Sequence, residues 1–188
     1  MGEHFCDLSM RLGEAAFRGD LAAVNAALAA GAKPDLKGGG MYLTYPLLSA
    51  CARGHAAVVE RLLAAGASTE VGTHNGTAIL YAHGDLAITK LLLDAGAVAD
   101  AMDFRGATAL WWSIGKRQEA TARLLRSRGA SLEATKWRPP SHGINPATAK
   151  LAALIRRMEA DPAPDQAPPQ ITAPKKPLGF RPSFGARA

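Results

Sequence analysis

Residues 45–67 read YPLLSACARGHAAVVERLLAAGA, two apolar runs that each end on a glycine, Gly54 and Gly66. The ending recurs along the chain. Gly-Ala pairs begin at Gly31, Gly66, Gly96 and Gly129, spaced 35, 30 and 33 residues apart. Twelve residues before each of these glycines stand Gly19, Gly54, Gly84 and, in the last copy, Arg117. A period in this range marks a repeat architecture and takes precedence over any local prediction. Two glycines at a fixed offset read as the stops of two successive helices, because a left-handed residue closes such a turn without a Cβ clash. Between the stops, Ala23/Ala27, Val58/Leu62, Ile88/Leu92 and Thr121/Leu125 repeat at i, i+4 in equivalent places, which is the helical period. Each unit is thus a helix hairpin too small to hide its own apolar stripe, and neighbours must stack to bury it. The expectation is an all-α solenoid.

Tyr45-Pro46-Leu47-Leu48-Ser49-Ala50-Cys51, followed by Gly54-His55, Val58-Val59, Leu62-Leu63 and Gly66-Ala67, resembles the ankyrin repeat. So does Asp103-Phe104-Arg105-Gly106-Ala107-Thr108-Ala109-Leu110 in the fourth copy. The resemblance covers residues 7–135 and implies stacked hairpins with β-turn fingers. Repeats are expected at about 7–35, 40–70, 73–100 and 103–133. The first, from Asp7 to Asp35, resembles a polar N-terminal cap.

Three departures carry structural expectations. The histidine of the family's helix start is replaced by Leu48, Leu80 and Trp111, so packing must take over from its local hydrogen bonds. Copy three is two residues short between Thr77 and Gly84, which predicts a clipped first helix and a dent in the concave face. In copy four Arg117 occupies the glycine place. Either the turn changes there, or a left-handed arginine is tolerated at about 1 kcal/mol.

Beyond Glu133, residues 136–143 (KWRPPSHG) are too rich in breakers for a helix. Asn145 as N-cap and Pro146 at the first helical position, with Leu151, Leu154, Ile155 and Met158 at helical spacing, predict a capping helix over 145–160. From Asp161 seven prolines fall before the terminus, and residues 161–188 are expected to be a disordered basic tail. Pro174-Lys175-Lys176-Pro177 and the stretch Leu178–Phe184 make it a candidate second attachment point, through a short linear motif.

The net charge is +6 and the sequence pI about 9.6, which permits an acidic partner. Of that charge the tail holds +2, and residues 1–160 hold +4 mixed with acids, with no run of five like charges anywhere. This is a solvated mixed surface in preference to a nucleic-acid stripe. Met1 to Arg11 contains no signal-like apolar core, and no window suits a membrane span. Met1-Gly2 opens like a myristoylation site, but Cys6 stands where Ser or Thr is required. The expectation is a cytoplasmic protein without membrane attachment.

Chemistry-bearing patterns are sparse. Cys6 and Cys51 form no disulfide framework. His4, His55, His74, His83 and His142 make no metal-ligand spacing. Gly38-Gly39-Gly40 lacks the lysine of a phosphate loop and reads as slack in the first finger. His55, in the family's Gly-His turn, takes a structural hydrogen bond. No nucleophile can be named, and the expectation is no catalytic residue, no metal and no cofactor.

Surface binding remains. The ankyrin family grips partners with finger tips and concave first helices, and the resemblance places Met41, Tyr42, Leu43, His74, Phe104, Arg105, Trp137 and Arg138 there. Aromatic residues and arginine are enriched in binding hot spots. Tyr81, Trp111 and Trp112 are assigned to the inter-repeat core, and Phe104 and Tyr42 to contact. The leading function is an adaptor, inhibitor or immunity-type protein that binds another protein. The runners-up are a basic nucleic-acid-associated protein and a secreted effector. The alanine- and arginine-rich composition suits a GC-rich, bacterial coding genome.

Overall fold

A computed structural model describes residues 2–35, 45–73, 75–131, 157 and 160, with side chains from Leu8 onward. The four hairpins are α1 (Gly2–Arg18) with α2 (Leu21–Ala29), α3 (Pro46–Arg53) with α4 (Ala56–Ala64), α5 (Ala78–Tyr81) with α6 (Leu86–Asp94), and α7 (Ala109–Gly115) with α8 (Glu119–Ser127). First helices stack on first helices, α1 on α3 and α3 on α5. Second helices form their own row, α2 on α4, α4 on α6 and α6 on α8. The result is a helical solenoid. Its only strands among the described residues are β1 (Gly72–Thr73) and β2 (Gly76–Thr77), an antiparallel finger pairing Gly72 with Thr77 and Thr73 with Gly76. The next finger carries a single bridge, Met102 to Thr108. Helix α1 starts at Gly2, ahead of Asp7, where the first repeat was expected to open.

The Gly-Ala endings close all four second helices in the same way. After α4, Ala67 N–H reaches Leu62 O at 3.0 Å and Gly66 N–H reaches Leu63 O at 2.9 Å, the paired bonds of a Schellman turn. The same two bonds recur at Ala32/Gly31, Ala97/Gly96 and Ala130/Gly129. Glycine supplies the left-handed residue, with φ +86° at Gly66, and the alanine behind it is buried in every copy. The chain then ties itself to the unit before. Ser68 N–H donates to Asp35 Oδ1, Val98 N–H to Glu70 Oε1 and Ser131 N–H to Asp100 Oδ1, at 2.9, 3.3 and 2.8 Å.

One contiguous core runs through the stack, with Leu12, Leu47, Leu48, Val59, Leu62, Ile88, Leu92, Leu110 and Leu125 all fully buried. Of the i, i+4 pairs, all members are buried except Ala23, which packs partly buried against the core. Leu48 and Leu80, in place of the family's histidine, are buried in it, so packing does stand in for the missing hydrogen bonds. Trp111, the third replacement, is half-buried.

Unit three departs as expected from its short helix start. α5 has 4 residues, against 8 in α3 and 7 in α7. α5 and α7 accordingly meet less extensively than α3 and α5 do. Its turn is a different one, running through two left-handed residues, His83 at φ +48° and Gly84 at φ +84°. Unit four does not change its turn. Arg117 is left-handed at φ +60°, and the two Schellman bonds form around it, Gln118 N–H to Ser113 O at 2.8 Å and Arg117 N–H to Ile114 O at 3.0 Å.

The expected capping helix over 145–160 lies outside the described residues apart from Arg157 and Ala160, which are helical. Arg157 is exposed, and its guanidinium stands 3.9 Å from the Glu119 carboxylate on α8. The slack at Gly38–Gly40, the breaker-rich loop at 136–143 and the tail at 161–188 also lie outside the described residues.

Candidate functional site

The shortened α5 leaves an open groove of about 370 Å³ between units three and four. Tyr81 and Trp112 line it from the first helices, and Phe104 and Arg105 from the fourth finger. Lys116, His83, Asp103, Asn75 and Leu80 complete the wall. The volume lies near the lower end of the range for ligand-sized pockets, about 300–1,000 Å³.

Asp103 builds the finger that carries the two exposed residues. Its Oδ1 accepts the backbone N–H groups of Arg105 and Ala107 at 2.8 and 2.9 Å, an Asx turn. The Asp103 N–H and O close the loop on Ala107 O and Gly106 N, at 3.0 and 2.9 Å. Oδ2 accepts the indole N–H of Trp112 at 3.4 Å. The carboxylate is thereby spent on three internal donors. What the finger presents outward is Phe104, 63% exposed, with the Arg105 guanidinium 5.0 Å from its ring centroid. That distance is within cation–π range. Met102, two residues earlier on the finger, is 54% exposed.

The floor is held from below. Tyr81 shares a hydrogen bond with Thr73 Oγ1 at 2.7 Å, tying α5 to its finger. Trp112 packs against the core and meets Trp111 edge-to-face, with centroids 4.8 Å apart. Tyr81 also packs against the core. Tyr81 and Trp112 were assigned to the core from sequence. They pack against it, partly buried, and line the groove as well. Trp111, assigned to the core as well, is half-buried and does not join it; what it meets is the Trp112 ring.

On the groove's far side Lys116 Nζ approaches His83 O at 3.5 Å, and Gln118 Nε2 donates to the same oxygen at 3.3 Å. Partial burial, and next the charge of Lys116, hold the His83 imidazole below its usual value of 6.5. His83 and Lys116 were not foreseen as groove residues. The signal that pointed toward them was the missing pair of residues in unit three, which both opens the gap and forces His83 into its left-handed turn.

Of the residues expected to touch a partner, the structure brings Phe104 and Arg105 together on this groove. Met41, Tyr42, Leu43, His74, Trp137 and Arg138 lie outside the described residues. His55 makes its structural bond, with Nε2 3.1 Å from Phe17 O in the preceding unit. Cys51 is buried, and its thiol is pushed up to about 12, by desolvation first and the charge of Asp85 second. A thiol so protonated at neutral pH is a poor nucleophile and a poor metal ligand. Among the described residues no group of three or more His, Cys, Asp or Glu side chains is arranged to hold a metal, and no helix is long and apolar enough to cross a membrane.

Residues 12–103 and residues 47–136 each match a family model that describes ankyrin repeats in three copies. No curated protein shows significant similarity to the chain.

Proposed function

The chain belongs to the ankyrin-repeat family, whose repeats are general protein–protein interaction modules, and from that premise we propose that it is a non-catalytic adaptor or inhibitor acting in the cytoplasm. The partner protein lies along the finger tips and the first-helix face. One observation supports this most: an exposed phenylalanine stacked under an arginine, on a finger that the Asp103 carboxylate closes by two backbone hydrogen bonds, above an aromatic floor. A large aromatic side chain left at the surface on a preorganised turn loses little freedom when a partner covers it. That is how a few residues come to dominate an interface.

The test is co-purification from the native host with the full chain as bait, quantified by mass spectrometry against a bait carrying both Phe104→Ala and Tyr42→Ala. A specific partner lost from the double variant supports the reading. Equal recovery with both baits places binding on another face. A captured species released by nuclease and by moderate salt would instead favour the nucleic-acid alternative, since counterion release makes such binding steeply salt-dependent.

A further inference from the structure

We propose that the groove between units three and four takes an acidic peptide segment of the partner, anchored by one aromatic side chain. The proposal rests on the interaction reading above and adds the chemistry of what is bound. The walls are aromatic, from Tyr81, Trp112 and Phe104, and they enclose about 370 Å³, room for one large ring between them. The charges at the rim do not balance. Arg105 and Lys116 are both exposed cations. The one carboxylate in the lining, Asp103, already accepts from two backbone N–H groups and the Trp112 indole. An incoming ligand therefore meets two positive side chains whose negative neighbour is turned inward.

Neither cation is committed to an internal carboxylate among the described residues, in contrast to two arginines of the fourth unit's second helix and its cap. There Arg123 pairs with Glu119 and Arg128 with Asp94, both at 2.6 Å. Lys116 has only a long contact to the His83 carbonyl, and Arg105 lies over the Phe104 ring. Carboxylates flanking an aromatic anchor would reach both cations while the ring fills the gap left by α5. A basic or neutral segment would fill the same volume but leave the cations unanswered or opposed, and like-charge contacts select against a partner. The chain's own tail is basic, with four cations against two acids in residues 161–188, and so fits the groove poorly.

A peptide-display selection on the purified full chain, from a library of unbiased composition, tests this directly. Selected sequences should be rich in Asp and Glu around Trp, Phe or Tyr. Synthesised with a fluorophore, the best of them should bind roughly thirtyfold more weakly to Phe104→Ala, the lower edge of a hot-spot effect. Arg105→Glu with Lys116→Glu should invert the preference toward the same peptide with its acids replaced by lysine. All three substituted side chains are exposed or lie at the rim, and unchanged thermal unfolding of the variants verifies that the fold is intact. Groove-dependent peptides that are neutral or basic overturn the acidic assignment and leave the interaction module standing. Peptides indifferent to all three substitutions, or no selected peptide at all, overturn the groove. A gain in peptide affinity on cutting after Ala160 would overturn the proposal in favour of the tail as occupant. A dimer abolished by Phe104→Ala would overturn it in favour of a second copy of the chain.

Discussion

Units two and four end their first helices with the same pair of backbone hydrogen bonds, drawn around Gly54 in one and Arg117 in the other. Unit three, between them, ends its first helix differently, through His83 and Gly84. Units two and three also differ in how they grip the unit before. His55 lays its ring on the turn of unit one, with Nε2 3.1 Å from Phe17 O, and a Cβ on Gly19 would come within 2.6 Å of that ring. The place of His55 is taken in unit three by Asp85, which caps its own helix by accepting from Ile88 N at 3.0 Å. Gly54 consequently has open space where its Cβ would be. The difference separates two requirements that share one residue type. Glycine at Gly54 answers only a backbone dihedral, whereas at Gly19 it also makes room for a neighbour's side chain. The stack as a whole needs neither as much as it needs its apolar rows.

The largest effect should come from those rows. Leu62 is fully buried on α4, which packs against α2 and α6, and Leu62→Ala should cost about 2–5 kcal/mol by urea unfolding. Phe104→Ala, on the exposed finger, should stay within about 0.5 kcal/mol of the parent. A comparable loss for both would mean that the fourth finger is part of the core, and the groove could not then be an open surface.

Next in size are the two glycines. Gly54→Ala should cost about 0.5–1 kcal/mol, the strain of a left-handed alanine less the freedom that an unfolded glycine gives up. Gly19→Ala adds displacement of the His55 ring and the loss of its bond to Phe17, a further ~1 kcal/mol. Equal costs at the two sites would show that the imidazole moves aside freely, and the comparison between the units would collapse to backbone strain. The double variant Gly19→Ala with His55→Ala sharpens it, because the excess over Gly54→Ala should vanish once the ring is gone.

Most of this fold was legible because each unit repeats one physical solution. The Gly-Ala endings and the helical pairs are local signals read four times over, and repetition separates them from chance. Even the clipped α5 followed from counting between Thr77 and Gly84. The groove was legible only in outline. Phe104 and Arg105 stood out as residue types at a finger position, but Lys116 and His83 meet at it by stacking between units, over distances that periodicity does not encode. The double role of Tyr81 and Trp112 was also hidden, since an aromatic residue on a first helix carries no mark of which side of its ring will be covered. Arg117 left two turns open in the sequence, because its preference against left-handed φ and the two hydrogen bonds around it are of similar size.

Arg117→Gly measures that balance. Relief of the left-handed strain, about 1–2 kcal/mol, is offset by the greater freedom of an unfolded glycine, about 0.5–1 kcal/mol. The net should be a gain of about 0.5–1 kcal/mol, seen as a higher urea midpoint with an unchanged slope. A loss instead would assign the arginine side chain a stabilising contact that outweighs its strain, and unit four would then be specialised at this turn.

The smallest effect concerns the turn that sets unit three apart. His83 is held below 6.5 by partial burial and by Lys116, so the folded chain disfavours its protonation and the unfolded chain does not. Around it stand the Tyr81 ring, 6.5 Å away, the Lys116 ammonium and the Gln118 amide at its carbonyl, with Asp103 and Arg105 on the same groove wall. The sign follows from proton counting. Between the depressed folded value and 6.5 the unfolded state binds more protons, so stability rises with pH there and is fully recovered above 6.5. Acidification through that window should cost the parent a small amount of stability. His83→Asn removes the titration and keeps a residue that tolerates φ of +48° better than most. The variant should match or slightly exceed the parent at neutral pH, and its margin should widen as the pH falls toward 5, in parallel urea titrations of the two proteins. A margin that stays constant would mean that His83 titrates alike in both states, leaving the left-handed backbone as the only feature that distinguishes this turn from the one around Gly54.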